Sequence, residues 1–584
     1  MARFAKLDGL LWEVHSMTLF RGFFATLMVV ALVGCGSDDE PQSNPDTGNT
    51  GEPSDVSNPG ETLTFFKDVK PITDAHCVRC HDAQGVGYFD MTVPETVQIW
   101  AGAIKASTSN RTMPPYGAKA TEECTPEHAY IGDISLSDEQ IATIAQWVDE
   151  GAELGDVADD SSEPIYPVTT LDRYDFEGKP LNAVAVEEGN DSFVCIVIDP
   201  GFTEETWING VEVVPDNVKL AHHMVLFTDP NRESLNKMGE DGTYPCFGSA
   251  GVPGSVLYAW APGASPLDLP EDKATRVAPG TLFVMQMHYS PQGGAESLVD
   301  QTALRFRYAP EPPKYEVYMQ LMGNFNFNFS PALGVQPDPD NPDDTSFEIP
   351  PNKPMHREVM RWTYTGRLPG SNDGGNFDGP SAQEMRLLSV APHMHYTGVD
   401  MKISLDRPEP GGTACDSGML STAMFCGVQA GCPQDGGFIR CAMESCPEQF
   451  DAMTVPCWGC AQKAFQTAGD DLQGALFACE TDVAPADPAG RSAQECLLSA
   501  PNYSFEWQWN YPFDADFDAL PVFAPGHVLT MDCGYNNTMD NALLAGALQR
   551  AGKTEPQTVV LGDETLDEMC LAVLTLVFER PTGD

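Results

Sequence analysis

Positive charge is scarce in this chain: 32 Lys and Arg stand against 85 Asp and Glu, a formal net charge of −53 over 584 residues. That shortage excludes a nucleic-acid partner, because phosphate repulsion would have to be overcome at every contact. A solvated acidic surface suits an exported protein. Long apolar runs are lacking as well. The run from Phe23 to Val33 is too short for a comfortable transmembrane helix. Histidine is sparse, with eleven residues in all, so any clustering of it carries information.

Gly and Pro are plentiful, at 52 and 48, and 42% of residues are hydrophobic. The length and this composition predict several domains built from short strands and turns. The N-terminus reads as an export signal: "MTLFRGFFATLMVVALVGC" has Arg21, an apolar run and Gly34-Cys35. It resembles a bacterial lipoprotein signal over residues 1–35, with translation starting at Met17 and Cys35 bearing the lipid. The implied location is the bacterial cell envelope, at the outer membrane or cell surface, with the membrane reached through the lipid anchor. Residues 36–61 are polar, Pro/Gly-rich and non-periodic, a flexible spacer. Seventeen cysteines fit an oxidising compartment. With Cys35 acylated and two more assigned below, an even fourteen remain for disulfides.

Residues 62–153 contain "DAHCVRCHDAQG". In C-x-x-C-H, Cys77 and Cys80 have the spacing for thioethers to haem vinyl groups, and His81 is then held beneath the iron. A zinc or redox CxxC is the competing reading; the adjoining histidine and the export signal favour haem. Met113, in the Pro-stiffened "NRTMPPYG", is the expected opposite ligand, with Met91 as a rival. "LSDEQIATIAQWVDEGAE" predicts a helix with Ser137 as N-cap, Gln140 closing a capping box and Gly151 as stop. The segment resembles a small class I cytochrome c, which makes it an all-α electron carrier. Residues 154–180 read as a linker.

The rest alternates like β-strands, as in "GTLFVMQMHYS" and "CLAVLTLVFE", and predicts all-β sandwiches, with "RYAPEPPKYE" as a joint. Seven histidines follow the haem segment, and five fall in three clusters: His222-His223, His288, and His393-His395. Residues i and i+2 of a strand share a face, so His393 and His395 can reach one metal. An isolated H-x-H is also a common surface pair. Adjacent His222 and His223 would point to opposite faces unless a bulge turns them together. Imidazole sites suit copper, zinc, nickel or iron, and added sulfur tilts the choice to copper(I).

"LAHHMVLF", "LFVMQMHYS", "PHMHYTG", "GHVLTMDCGYN" and "LDEMC" occur in the order seen in the copper type II, ascorbate-dependent monooxygenases, the family of dopamine β-hydroxylase and peptidylglycine α-hydroxylating monooxygenase. The resemblance covers roughly Asp191 to Pro581. It implies two jelly-roll domains, 181–310 and 311–581, holding two copper ions across a watery cleft. His222, His223 and His288 would hold the electron-storing copper. His393, His395 and Met569 would hold the copper that meets dioxygen, and so carry the catalysis. Cys533–Cys570 matches a family disulfide; Cys195 stands at another family position, with Cys246 as candidate partner. Gln286 matches a position near the copper or is a plain strand polar residue.

The implied reaction puts one oxygen atom of O2 into a C–H bond of a small organic substrate and releases the other as water. Ala391, Leu571 and Val573 replace the contacts that the peptide hydroxylase makes to its substrate, so a glycine-extended peptide is not expected. Ascorbate or an external redox protein would supply electrons, and the fused haem c would feed the His222/His223/His288 copper. The alternative is a copper- and haem-binding surface electron-transfer lipoprotein without hydroxylase activity. Residues 408–500 form an insertion with nine cysteines, expected to be a disulfide-stapled cap; the odd count points to an outside partner, with Cys124 as candidate.

Overall fold

The computed structural model describes residues 62–580, less internal stretches of which 162–169, 324–346, 365–384, 408–414 and most of 454–493 are the longest. The leader with Cys35 and the spacer 36–61 lie outside the described residues. Among the described residues no helix is long and apolar enough to cross a membrane.

Residues 62–153 form a helical module. Its helices are Phe65–Val69 running into Lys70–His76, then Pro94–Ser109 and Asp138–Asp149. The last begins at the expected capping box: the Gln140 N–H donates to Ser137 Oγ, and the Ser137 N–H donates to Gln140 Oε1. It ends before Gly151, whose φ of +111° is open to glycine and strained for other residues. Phe65, Val69, Val97, Ile144 and Trp147 fill the module's core.

The remainder is β-rich. A five-stranded sheet runs in the order Thr243–Pro245, Ser192–Ile198, Leu282–Tyr289, Ala221–Asp229, Val256–Trp260. A four-stranded sheet runs Lys353–Thr363, Val528–Asn537, Gly398–Asp406, Gln494–Ala500. Between them lies a ten-stranded sheet. Its first half holds Thr206–Val214 and Ala303–Tyr308; its second holds Tyr315–Gly323, Leu571–Glu579 and Met385–His393.

The halves join where Lys273 and Ala274 pair in parallel with Tyr315 and Glu316, the last two residues of the expected joint. Two cores result, because alternate residues of each strand face the partner layer. One contains Ile208, Phe283, Met285 and Phe306, the other Leu387, Ile403, Leu529 and Leu574.

Two boundaries differ from expectation. The linker 154–180 contains a strand, Phe176–Gly178, paired with Leu304–Phe306; its short length hides it in a polar stretch. The insertion ends before Gln494, not at residue 500, because Gln494–Ala500 is a ladder partner of Gly398–Asp406.

Seven disulfides occur among the described residues, and they fit an oxidising, exported environment. Cys533–Cys570 and Cys195–Cys246 form as the resemblance implied. The insertion is stapled by Cys415–Cys457, Cys426–Cys446, Cys432–Cys441 and Cys460–Cys479. The ninth cysteine of the expected 408–500 stretch, Cys496, stands on the ladder strand Gln494–Ala500 and bonds Cys124 of the helical module, 372 residues away. Removing this cross-link by Cys124→Ser with Cys496→Ser is expected to cost about 2–4 kcal/mol in denaturant unfolding. Amide exchange should rise first in residues 118–134. An unchanged midpoint would show that the bond constrains nothing.

Candidate metal centre

The three N-terminal histidines meet at one end of the five-stranded sheet. His223 pairs with His288, yet the next pair is Ala221 with Tyr289. His222 is therefore the extra residue of a β-bulge, which turns its ring to the same side as His223. The Nδ1 atoms of His222 and His223 are 3.1 Å apart, and those of His223 and His288 3.4 Å. One ligand atom from each of the three lies within 4.8 Å of the others. Nitrogens about 2.0–2.1 Å from a tetrahedral ion stand roughly 3.3 Å from each other by geometry, so the spacing fits a metal. Burial and the neighbouring imidazoles hold His223 well below the usual histidine range, so it is neutral, as a ligand must be. Phe193, on the other neighbouring strand, stacks flat on His288 at 4.3 Å and 4°. Gln286 donates to the Ser249 carbonyl at 2.9 Å, which favours the strand-polar reading.

His393 and His395 stand at the end of the Met385–His393 strand, with the buried Met394 between them pointing into the core. Their rings are 5.3 Å apart and perpendicular. His393 Nδ1 donates to Gln508 Oε1 at 2.6 Å, and His395 Nδ1 to the Asp567 carbonyl at 3.1 Å. Each bond selects the tautomer that keeps its lone pair on Nε2. Burial lowers the His393 pKa against the pull of Gln508.

Met569 is buried and lies two residues before Leu571, the strand partner of His393. Its N–H donates at 3.0 Å to Glu568, whose carboxylate also accepts from the backbone of His395. Thr397 gives Glu568 two further bonds, at 3.1 and 2.6 Å. Burial raises the Glu568 pKa to about 7 despite these donors. The carboxylate thus ties the H-x-H turn to the methionine's backbone.

The segment 503–509 carries no motif that marks it as part of a metal site. Tyr503 Oη donates to the Met394 carbonyl at 2.5 Å and accepts from its N–H at 2.8 Å, pinning the H-x-H backbone. Phe505, 2% exposed, lies 5.8 Å from the His222 ring and 5.7 Å from the His395 ring. The two histidine groups therefore lie no farther apart than the sum of those distances. Phe505 packs with Tyr396, Leu544 and Leu548 in a small apolar cluster beside both groups. The only signal was the aromatic run "YSFEWQWNY" after the insertion.

In the helical module, Cys77 and Cys80 are unpaired while the other described cysteines are in disulfides. His81 Nδ1 donates to the Phe89 carbonyl at 3.2 Å, leaving Nε2 for a ligand role. Gly87 cradles the ring: a Cβ there would stand 2.3 Å from His81 Nδ1. These residues fit a covalently held haem. Met113 sits half-buried on the loop after Pro94–Ser109, whereas Met91 is buried in the module's core; this leaves Met113 the better ligand candidate. No family model matches the chain.

Proposed function

We propose that this protein is a copper type II monooxygenase: two jelly-roll domains carrying copper, fused to a c-type cytochrome module on a lipid-anchored, exported chain. It hydroxylates a C–H bond of a small organic substrate with O2. The observation that carries the reading is the convergence of two histidine groups near one buried ring, Phe505. One group offers three Nδ1 atoms. The other has both Nδ1 atoms tied back and Met569 on the adjoining segment.

Copper held by these residues would supply one-electron redox chemistry and reaction with dioxygen, and haem held by Cys77, Cys80, His81 and Met113 would store an electron. The chain's own residues do the rest. Gln508 and the Asp567 carbonyl orient the His393 and His395 rings, and Phe193 fixes His288. Ala391 shares a strand face with His393 and pairs with Val573. That apolar pair suits a substrate without a carboxylate at this point. Ascorbate or an external redox protein would reduce the haem.

The full chain, loaded with haem and copper and supplied with ascorbate, is tested by oxygen uptake across a substrate panel under isotopically labelled O2. Uptake matched by one labelled atom per product, and lost in His393→Ala, is the expected result. Copper and haem that cycle without product would leave the electron-transfer lipoprotein instead. Failure to bind copper would overturn both readings.

A further inference from the structure

The segment that holds His393 in place also touches the haem pocket. The Trp509 indole N–H donates to the Pro115 carbonyl at 2.6 Å, two residues beyond Met113. Arg79, between Cys77 and His81 in the chain, lies over the Trp509 ring at 5.5 Å and donates to the Gly263 carbonyl at 2.8 Å. A Cβ on Gly263 would stand 2.9 Å from Cys80 Sγ and 3.6 Å from the Trp509 ring edge. The absent side chain at Gly263 is what lets Cys80 and Trp509 face each other closely. Trp509 thus touches both the C-x-x-C-H segment, through Arg79, and the loop that follows Met113, through Pro115. Its chain neighbour Gln508 accepts the His393 Nδ1–H at 2.6 Å.

We propose that Gln508 and Trp509 are the connector through which electrons pass from the haem pocket to His393, so that the His393/His395/Met569 site draws on the haem directly. This rests on the copper and haem reading above and reverses the route expected from the sequence, in which the His222/His223/His288 group came first. The Trp509 stem, one peptide unit, the Gln508 side chain and one short hydrogen bond separate the Trp509 ring from the His393 ring. The competing route runs from Gly263 back along the chain to Trp260, then across the sheet to Met224 beside His223. It is longer in bonds and includes an inter-strand step, and tunnelling falls steeply with each. Every transfer oxidises one ferrous haem to ferric and reduces one cupric ion to cuprous; no atom moves, and the His393 proton stays on Nδ1. Gln508 and Trp509 are positioning residues, acting through His393 and the haem edge.

The test uses the full chain with haem reduced and copper oxidised, mixed without oxygen. Haem oxidation is followed optically, and loss of the cupric signal by electron paramagnetic resonance. In His223→Ala, which removes one copper group, fast haem oxidation is expected to persist with one electron passed. In His393→Ala it is expected to disappear. Gln508→Met should slow it by at least about tenfold, as for loss of other outer partners of a metal-bound histidine. Gln508→Glu, which keeps an acceptor for Nδ1–H, should restore it. Fast oxidation lost in His223→Ala but intact in Gln508→Met would overturn the connector and leave the copper reading standing. Absence of a haem band or a cupric signal in the loaded wild-type chain would overturn that reading itself.

Discussion

Glu568→Leu is expected to be among the most damaging single substitutions in this protein. The carboxylate is wholly buried and accepts from the backbone N–H groups of His395, Thr397 and Met569 and from the Thr397 hydroxyl. Leucine has nearly the same volume but no acceptor, so these donors lose their partner away from water. Each buried donor left unmet costs about 1–3 kcal/mol, and a total of several kcal/mol is expected even if local relaxation rescues some. Urea unfolding of the metal-free protein reads this directly. Glu568→Gln, which keeps one acceptor oxygen, should lose less. A leucine variant within about 0.5 kcal/mol of wild type, the range of inert surface changes, would mean that the carboxylate does not organise the H-x-H turn.

His223→Ala carries the largest expected effect on metal content. His223 Nδ1 is the atom within 3.1 and 3.4 Å of the other two ring nitrogens, so its loss leaves His222 and His288 without their common neighbour. Copper bound per chain should halve, while haem content, read from its optical spectrum, stays the same. The metal-free variant should not be strongly destabilised, because the ring is neutral and lies against other imidazoles that repel its charged form. Full copper retention would show that the trio is a packed histidine cluster and not a metal site. Measuring copper in His223→Ala and His393→Ala separately tells which group lost its ion.

The placement of the helical module explains how one chain can combine these parts. The loop carrying Cys124 lies against the second β-body: Lys119 N–H donates to the Ser499 carbonyl, Tyr130 Oη to the Leu497 carbonyl, and Ala118 and Ile134 join that body's core. With the Cys124–Cys496 bond this is a fixed seat, and not an attachment through a flexible linker alone. It brings Trp509 against both Arg79 and the Pro115 carbonyl.

Much of this architecture was written in local pattern. The capping box at Ser137, the stop at Gly151, the strand alternation around Phe283 and Leu574, and the five histidines in three clusters are short-range features, decided by backbone geometry and side-chain periodicity within a few residues. The bulge at His222 was foreseeable for the same reason, since two adjacent rings cannot share a face on a regular strand. Cysteine parity, too, could point from the insertion to Cys124.

Only the tertiary structure decided what stands between and behind the histidines. Phe505, Gln508, Trp509 and Tyr503 come from a segment more than a hundred residues past His393 in the chain, beyond a stapled insertion, and nothing in their own spacing marks a ligand shell. Their roles arise from long-range packing: a ring meets two histidine groups only when two distant strands bring imidazoles to it, and an amide orients a histidine only when the fold places it within a hydrogen bond. Local sequence sets which residues are able to bind; the meeting of remote segments sets which of them do, and from which side electrons can arrive.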